Sequence, residues 1–472
     1  MRIYTPKMFL FILSSFLLTA ALYYPALNGA PIFDDVHFIF YYQPFIEDYS
    51  YAIIFNNFAW PISTTVQKIL YDFWQHEYLN YHLLNLVLHF FNSYLFLKLL
   101  KKLHLPYANV IFLLFLLHPA NVISVAWMVQ LKTLLCFTFC ITAFLFLIRA
   151  MDDKRYYPLS WLSFLLSVLS KSASLPLGVI FLAYGFKKQT KAQLIWILPF
   201  FIISTHSFLK TTDSPVTSEG VTQLKSKTYV AEEYSKKKEI AVVKATHPIK
   251  VPEAPSELTK RLNLFFKTSQ FYFWQVIMPF ESIPVRGPNS KESSIIEILQ
   301  LVFLVTIVFI AWGNLTGKYL FAGYLMITPY LGIVAAPFMN VTWVSEQHLY
   351  LALPFFLCFW MEVLNKWKFK YPQIVPVLFI VFFSIQTYRA AKYYENEIIF
   401  YTKSLEADPY NLPIVFNLAY SYLKANQPEV AITVTGRIIA MAQDKPELKE
   451  SKYFPYIIRL HGALVKMVLG KP

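Results

Sequence analysis

The stretch LKTLLCFTFCITAFLFLIR, residues 131–149, decides the class of protein to which this chain belongs. Lys132 and Arg149 stand near its two ends, and every residue between them is apolar or an uncharged Thr or Cys. About 20 such residues in a helix cross the hydrocarbon core of a bilayer, and long basic side chains at the ends reach the headgroups. The stretch therefore predicts a transmembrane helix.

The composition extends this prediction to the whole chain. Of 472 residues, 56% are hydrophobic, 18% are aromatic and only 15% are charged, and the mean hydropathy is +0.44. Soluble domains carry about 25% charged residues, whereas aromatic side chains are enriched at membrane interfaces. These values exclude a soluble enzyme and a disordered scaffold. They favour a polytopic membrane protein with one modest extramembrane domain.

Apolar runs near the spanning length predict an all-α fold of about eleven transmembrane helices. Their approximate limits are 8–24, 81–99, 107–118, 131–149, 157–170, 173–186, 192–209, 295–313, 319–336, 348–363 and 372–388. The first run could be a cleaved signal peptide. We interpret it as an uncleaved span, because it is long and further spans follow.

Lys and Arg in the short loops predict the orientation, since such residues accumulate on the cytoplasmic side. The net charge of +14 is therefore weak evidence for nucleic-acid binding. The basic groups fall at alternate turns: Arg2 and Lys7; Lys98, Lys101 and Lys102; Arg149, Lys154 and Arg155; Lys187, Lys188 and Lys191; Lys318; Lys366, Lys368 and Lys370. The N-terminus is then cytoplasmic, and the chain after about residue 389 is extracytoplasmic. The small size and the short repeat tail favour a bacterial inner membrane over the endoplasmic reticulum.

Three segments of the predicted transmembrane domain, residues 1–390, depart from the span pattern. Residues 25–80 form an acidic extracytoplasmic loop, and residues 210–262 form a mobile extracytoplasmic insertion rich in Ser, Thr, Lys, Glu and Pro. Residues 263–280 are interpreted as an interfacial helix with aromatic residues on one side and Lys267, Ser269 and Gln275 on the other. Counting this helix as a span would reverse the orientation of everything after it.

The last segment, residues 391–472, is predicted to be a tetratricopeptide-like helical domain. Ala419 and Ala431 stand twelve residues apart, where two helices of such a repeat approach closely, and 426–428 supply the turn. A repeat needs neighbours to bury its apolar face, and helices over 395–408 and 453–467 would supply them. The alternative is a helical hairpin of another kind.

Asp34 and Asp35, directly after the first span, are the most informative polar residues. Partial burial and mutual repulsion would raise the pKa of one carboxylate and suit it to general-base catalysis. The alternative is an acidic loop that helps to set topology or caps a helix.

A polar stripe of His82, Asn85 and His89 recurs along one face of the second span. Such groups face a bundle interior or a cavity, so they contact a ligand or hydrogen bond between helices. A metal site is improbable because no third ligand follows at helical spacing, and the three cysteines lie inside apolar runs without zinc spacing.

Further candidates stand at the mouths of later spans. Lys132 and Lys171 either anchor their helices at the interface or neutralise a lipid-linked phosphate. His118 precedes a proline between two spans. Glu346 and His348, at the outer end of a span, suggest function more than packing.

Together these residues resemble the GT-C superfamily of glycosyltransferases, most closely its transmembrane-and-tetratricopeptide-repeat O-mannosyltransferase group and bacterial relatives. The similar motifs follow in order over nearly the whole chain, omitting mainly residues 210–260. They are Phe33-Asp34-Asp35; Tyr81 to His89; His118-Pro119 with Val125-Ala126-Trp127; Ser170-Lys171 and Leu175-Pro176; Arg261-Leu262, Tyr272 and Pro279; Glu346 with Leu349-Tyr350-Leu351; and Tyr388-Arg389-Ala390, Asn396 and Asp408-Pro409.

The resemblance implies an inverting transfer of a sugar from a polyprenyl-phosphate-linked donor to an extracytoplasmic protein or glycan acceptor. Asp34 or Asp35 would be the catalytic base. The donor-phosphate or substrate-binding residues would be Lys132, Lys171, Glu346, His348, His82 and His118. No cofactor is required, and a divalent metal is compatible but not expected. The expected partners are the lipid-linked donor, the acceptor, which the C-terminal repeats would hold, and membrane lipids, but not nucleic acid.

Two other functions stay open. At Trp60, Leu131, Thr133, Ser172 and Gln347 the sequence departs from charged residues usual in the group. These departures favour a catalytically degenerate, membrane-anchored repeat scaffold for a surface-assembly or glycosylation complex. A lipid flippase or polymer ligase would also place polar groups near a bilayer midplane, but it explains neither the Asp pair nor the ordered motifs.

Overall fold

The structure is a computed structural model of the full chain. It describes residues 5–40, 42–57, 60–188, 198–200, 202–204, 258–280, 282–287, 317–332, 339, 341–366 and 374–470. These residues are overwhelmingly helical, and among them an isolated antiparallel bridge between Arg286 and Val344 is the only β-pairing. The predicted all-α fold class is confirmed for this part of the chain. The predicted insertion 210–262 lies outside it, apart from the first turns of the helix that begins at Leu258.

Eighteen helices are numbered here in chain order. They are α1 Pro6–Leu27, α2 Gln43–Ile46, α3 Tyr51–Asn57, α4 Pro61–Trp74, α5 Tyr78–Lys102, α6 Ala108–Leu116, α7 Val122–Ala126, α8 Leu131–Ala150, α9 Tyr157–Ser170, α10 Leu177–Lys188, α11 Leu258–Ile277, α12 Gly317–Ile327, α13 Leu349–Lys366, α14 Ile374–Lys392, α15 Glu397–Ala407, α16 Leu412–Lys424, α17 Pro428–Asp444 and α18 Phe454–Leu469. Short 3-10 turns join several of them, including residues 119–121, 128–130, 172–174 and 346–348.

Several of these helices indicate a membrane protein. Within the described ranges, five are long and apolar enough to cross a bilayer: α1, α5, α8 with the turn before it, α13 with the turn before it, and α14. A sixth results if α6 and the segment 119–126 form one bent span. The structure thus bears out the membrane class but supports fewer spans than the eleven predicted. The runs at 295–313 and most of 192–209 fall outside the described residues, and the helices at 157–170, 177–188 and 317–327 are short.

The run predicted as a span at 107–118 is one arm of a bent pair. The chain turns by 50° between α6 and the segment 119–126. Pro119 has no N–H, so it cannot continue the backbone hydrogen bonds of α6. The next N–H, that of Ala120, donates to the His118 side chain at 3.2 Å. This local capping explains why α6 ends close to the predicted limit of the run and a separate helical segment follows.

Polar side chains in α5 join the helices of the core. Asn92 donates through Nδ2 to the carbonyl of Leu134 at 3.0 Å and accepts the hydroxyl of Thr138 at 2.6 Å. His89 donates through Nε2 to the carbonyl of Leu116 at 3.0 Å, and its Nδ1 accepts the hydroxyl of Tyr350 at 2.8 Å. The α5 stripe therefore hydrogen bonds between helices, as the structural alternative predicted.

The helix over residues 258–277, α11, contains the segment predicted to lie at the interface. Tyr272 and Phe273 are fully buried, and so are Ser269 and Gln275, which the sequence placed on a separate polar side. Thr268 donates to the carbonyl of Leu331 at 2.8 Å. Protein therefore covers more of α11 than an amphipathic surface helix would allow.

The tail folds into an antiparallel array of α15 to α18. Ala419 and Ala431 are fully buried in one cluster with Leu464, so α16 and α17 approach closely where the sequence placed two small residues. The predicted turn is also present, with Asn426 in the left-handed region at φ 58°. Whether these helices constitute a tetratricopeptide repeat stays a prediction.

The tail packs against the end of the membrane helices that carries Asp34 and Asp35. The Tyr401 hydroxyl accepts the N–H of Phe33 at 3.1 Å, and Asn411 donates through Nδ2 to the carbonyl of Val341 at 2.8 Å. At the opposite end, the Tyr107 hydroxyl after α5 donates to Asn365 at the end of α13, at 3.2 Å. One end of the molecule thus bears the acidic turn, the tail and the basic end of α14, and the other end bears the basic ends of α5 and α13.

Candidate functional site

The Asp34–Asp35 turn is built immediately after α1 ends. Phe33 adopts a left-handed φ of 47°, and Asp35 folds back so that its Oδ2 accepts the N–H of Ile32 at 3.2 Å. The Val129 N–H, in the connection that leads into α8, donates to Asp35 Oδ1 at 2.7 Å. The Trp127 indole donates to the carbonyl of Ile32 at 3.3 Å. The turn is therefore held by its own backbone and by the start of α8.

The two carboxylates stand in different environments. Asp35 is completely buried and both of its oxygens accept backbone N–H groups, whereas Asp34 is partly exposed. The pKa of Asp35 is raised to about 8: burial is the main cause and the charge of Asp34 adds to it, whereas the two backbone hydrogen bonds and Lys132 act in the opposite direction. Two neighbouring acids in different surroundings can have different pKa values and can therefore take different chemical roles. Of the two acids, Asp34 is therefore the one that is partly exposed to solvent.

Lys132 lies at the start of α8, beside the acidic turn. Its Nζ sits over the ring of Trp60 at 4.5 Å, and it lies within electrostatic range of Asp34 and Asp35. Trp60 precedes Pro61 at the start of α4, and α4 is tied to the same region because Ser63 donates to the carbonyl of Ser170 at 2.6 Å. Trp60, which stands where the family resemblance leads one to expect Arg, therefore offers its aromatic face to Lys132.

Lys171 follows α9 and is buried. Its Nζ donates to Thr133 Oγ1 at 2.8 Å, and Thr133 donates in turn to Gln130 Oε1 at 2.7 Å. The pKa of Lys171 is lowered to about 7, mainly by burial and in addition by the charge of Lys132. Thr133 stands where the family resemblance leads one to expect an acid, so the hydrogen bond from Lys171 goes to a neutral oxygen.

His348 and Glu346 occupy the short turn that precedes α13, and both are buried. The His348 ring stacks on Tyr330 with centroids 3.6 Å apart, and Lys132 and Lys171 act on it electrostatically. Glu346 lies within electrostatic range of Arg286. The structure therefore brings the two lysines and His348 together at the Asp34 end.

His82 and His118 take part in backbone contacts. His82 donates through Nε2 to the carbonyl of Gly29 at 3.2 Å, which ties α5 to the chain just after α1. In His118, Nδ1 accepts from the N–H of Ala120 and Nε2 donates to the carbonyl of Val276 at 3.1 Å. Both ring nitrogens of His118 are therefore committed to backbone groups. The geometry favours helix positioning over ligand contact for these two residues.

Several contacts of this site were not found from the sequence. The ring of Tyr330 stacks on His348, and a chain of hydrogen bonds runs from Lys171 through Thr133 to Gln130. From the tail, Tyr401 hydrogen bonds to the acidic turn. Tyr401 is separated from Phe33 by 368 residues, so no local pattern links them. The sequence singled out Thr133 only because it replaces a charged residue that is usual in the family.

The interior behind the acidic turn is tightly packed. The space that Tyr23, His82 and Val125 line has no free volume for a water molecule. A substrate would therefore have to approach Asp34 from its exposed side.

The fold and these residues define the class as an all-helical protein with several helices suited to crossing a membrane. Comparison with models of protein families, with curated proteins and with solved structures gave no match to this chain.

Proposed function

We propose that the chain is a membrane glycosyltransferase that transfers a sugar from a polyprenyl-phosphate-linked donor to an extracytoplasmic protein or glycan acceptor. One observation carries the proposal. A partly exposed carboxylate, Asp34, stands beside the enclosed Asp35 and within electrostatic range of Lys132, and Lys171 lies close to that lysine. An acid and two cations at one end of a helix bundle are suited to deprotonating an alcohol beside a leaving phosphate.

In the proposed reaction, Asp34 removes the proton of an acceptor hydroxyl. The hydroxyl oxygen forms a bond to the anomeric carbon as the bond from that carbon to the phosphate oxygen breaks, and the configuration inverts. The polyprenyl phosphate leaves with one additional negative charge, which Lys132 and Lys171 offset. Asp35 keeps the turn in place through its two backbone hydrogen bonds.

The replaced motif residues are compatible with this assignment. Trp60 and Thr133 contact Lys132 and Lys171 without adding negative charge. A carboxylate at position 133 would pair with Lys171 and weaken its attraction for a phosphate. The proposed cellular setting is a bacterial inner membrane, with the N-terminus cytoplasmic and the tail, which would hold the acceptor, extracytoplasmic.

The test is transfer by the purified full-length protein from a lipid-linked sugar. Asp34→Asn removes the base while keeping the shape, so we expect the rate to fall by a factor of about 10²–10⁴. Asp35→Asn should also abolish transfer, because Asn offers one acceptor to two backbone donors. The matched control is Asp152→Asn, an exposed acid after α8 that should leave transfer unchanged. Full activity of the Asp34→Asn protein would refute the base assignment.

The second candidate is a degenerate scaffold in which the tail binds a partner and the membrane domain turns over no donor. The tight packing of the interior behind the acidic turn favours it. Mass spectrometry of surface glycoproteins and polysaccharide from cells with and without the gene separates the two functions. A third strain, in which Asp34→Asn is the sole copy of the gene, completes the comparison, since the glycan is lost in that strain only if the protein is a transferase.

A further inference from the structure

A groove runs between α1 and α14, away from the residues proposed for transfer. Its volume is about 430 Å³, within the roughly 300–1,000 Å³ typical of small-ligand sites. Leu22 of α1 forms one side. The other side consists of α14 residues Ser384, Ile385, Tyr388, Arg389 and Lys392. The groove lies at the end of both helices that leads into the acidic turn and the tail.

The surface around this groove is apolar and exposed. Both helices are long and apolar enough to cross a membrane. Their exposed large side chains include Leu13, Leu17 and Leu18 of α1 and Val377, Val381 and Ile385 of α14. Tyr24 and Tyr388, exposed to 65% and 40%, stand near the helix ends, where aromatic residues mark the headgroup level. The most abundant molecules in contact with such a surface are lipids.

The positive charge of the groove favours lipids with a net negative headgroup over neutral ones. Arg389 and Lys392 are exposed in the last turn of α14, and no acid is among the described residues that line the groove. Lys392 Nζ sits over the Tyr388 ring at 5.1 Å, which keeps the ammonium at the mouth of the groove. Two cations three residues apart lie on one helix face, and an Arg fork can donate two hydrogen bonds to a phosphate.

Basic residues at a helix C-terminus also interact favourably with the helix dipole and serve as interfacial anchors. That reading explains the two charges but not their place on the rim of a groove between two helices. Basic pockets between transmembrane helices bind anionic lipid headgroups on the cytoplasmic side of membranes, and the same pairing of charges is available to the outer leaflet at this groove.

We propose that this groove binds one anionic phospholipid of the surrounding bilayer. Its phosphate lies between Arg389 and Lys392, and the first part of an acyl chain follows Leu22 and Ile385. The bound lipid bridges α1, which leads into Asp34, and α14, which leads into the tail. This inference does not depend on the proposed transferase activity.

The test is native mass spectrometry of the full-length protein with added phosphatidylglycerol or phosphatidylcholine. We expect one phosphatidylglycerol to bind in preference to phosphatidylcholine. A basic residue at a membrane surface strengthens binding by a factor of about five, so R389Q with K392Q should weaken phosphatidylglycerol binding roughly thirtyfold. The matched control is R437Q with K466Q, which removes one exposed Arg and one exposed Lys from the tail and should change nothing.

A second pair of variants tests the groove without altering charge. Ile385→Trp fills the groove and should displace the lipid, whereas Leu17→Trp places the same side chain on the exposed face of α1, outside the groove, and should not. Preference for phosphatidylglycerol that survives both R389Q/K392Q and Ile385→Trp would overturn the proposal. Displacement of phosphatidylglycerol by an equimolar polyprenyl phosphate would assign the groove to the sugar carrier and overturn the choice of phospholipid.

Discussion

At the scale of single residues, the two aspartates and the two lysines of the site differ in how deeply they are buried. Asp34 and Asp35 are adjacent in sequence, but only Asp34 is partly exposed. Lys132 rests on an aromatic face, whereas Lys171 is enclosed and donates to a threonine hydroxyl. In the proposed transferase, these differences assign the base to Asp34 and make Lys171 the cation whose charge is most sensitive to pH.

We therefore expect donor binding to depend on pH through Lys171. Burial lowers the pKa of Lys171 to about 7, so its charge is present below pH 7 and is lost as pH rises through that value. A sugar phosphodiester stays singly charged over this range. Its affinity should therefore fall above pH 7, by at most about tenfold per pH unit. Titration of a non-reacting lipid-linked sugar between pH 6 and 9 measures the effect.

Two variants of Lys171 make this prediction specific. Arg keeps its charge at every pH used, so Lys171→Arg should bind donor with a shallower pH profile than the wild type, leaving only the part due to Asp35, whose pKa is about 8. Lys171→Met keeps the length of the chain without the charge and should bind weakly at all pH values. A wild-type affinity that does not change from pH 6 to 9, or a Met variant with the wild-type slope, would contradict the assignment.

The sequence located residues of this site unequally well. Asp34 and Asp35 were predicted as site residues because placing two carboxylates beside a membrane costs free energy, which favours a functional role. His118 was predicted to bind substrate, yet its ring nitrogens both meet backbone groups, a distinction that hydropathy and spacing cannot make. Tyr401 has no local signal, because its contact with Phe33 forms only when the tail folds back on the membrane domain.

At the scale of helices, both long and short apolar runs in the described part of the chain form helices near their predicted limits, but only the long ones reach the length that crosses a bilayer. The helices α1, α5, α8, α13 and α14 agree closely with predicted spans, because nearly 20 apolar residues leave few alternatives. The run at 107–118 forms the shorter helix α6, and the bend at Pro119, where the His118 side chain accepts the Ala120 N–H, joins it to the segment 119–126 that was not predicted as part of a span. The segment predicted as interfacial forms a helix, α11, whose polar residues are buried against neighbours that periodicity alone cannot reveal.

The tail offers a stability test at this scale. Ala431 is fully buried where α16 and α17 approach, so Ala431→Leu should overpack that contact and destabilise the tail by about 1–3 kcal/mol. The matched control is Ala440→Leu, an exposed position in the same helix that should change stability by less than about 0.5 kcal/mol. Hydrogen–deuterium exchange of residues 412–444 in the full-length protein measures both. Equal exchange in the two variants would mean that the helices do not pack through Ala431.

At the scale of the whole molecule, the structure separates two chemically different ends. The acidic turn, the turn before α13 and the tail lie at one end, where Tyr401 and Asn411 join the tail to the membrane helices. The ends of α5 and α13, with Lys101, Lys102 and Lys366, lie at the other. Basic residues favour the cytoplasmic side, so this separation predicts that the tail and Asp34 share the extracytoplasmic side.

Cysteine labelling tests this orientation. Lys449→Cys, exposed in the tail, should react with a membrane-impermeant thiol reagent in intact spheroplasts, whereas Lys102→Cys should react only after permeabilisation. The native cysteines 136, 140 and 358 are buried, so the unmodified protein gives the background. Because the tail contacts the acidic turn directly, labelling at Lys449 also reports the side that Asp34 faces. The opposite labelling pattern would place both on the cytoplasmic side, and an extracytoplasmic acceptor could then reach neither the proposed base nor the repeats that would present it.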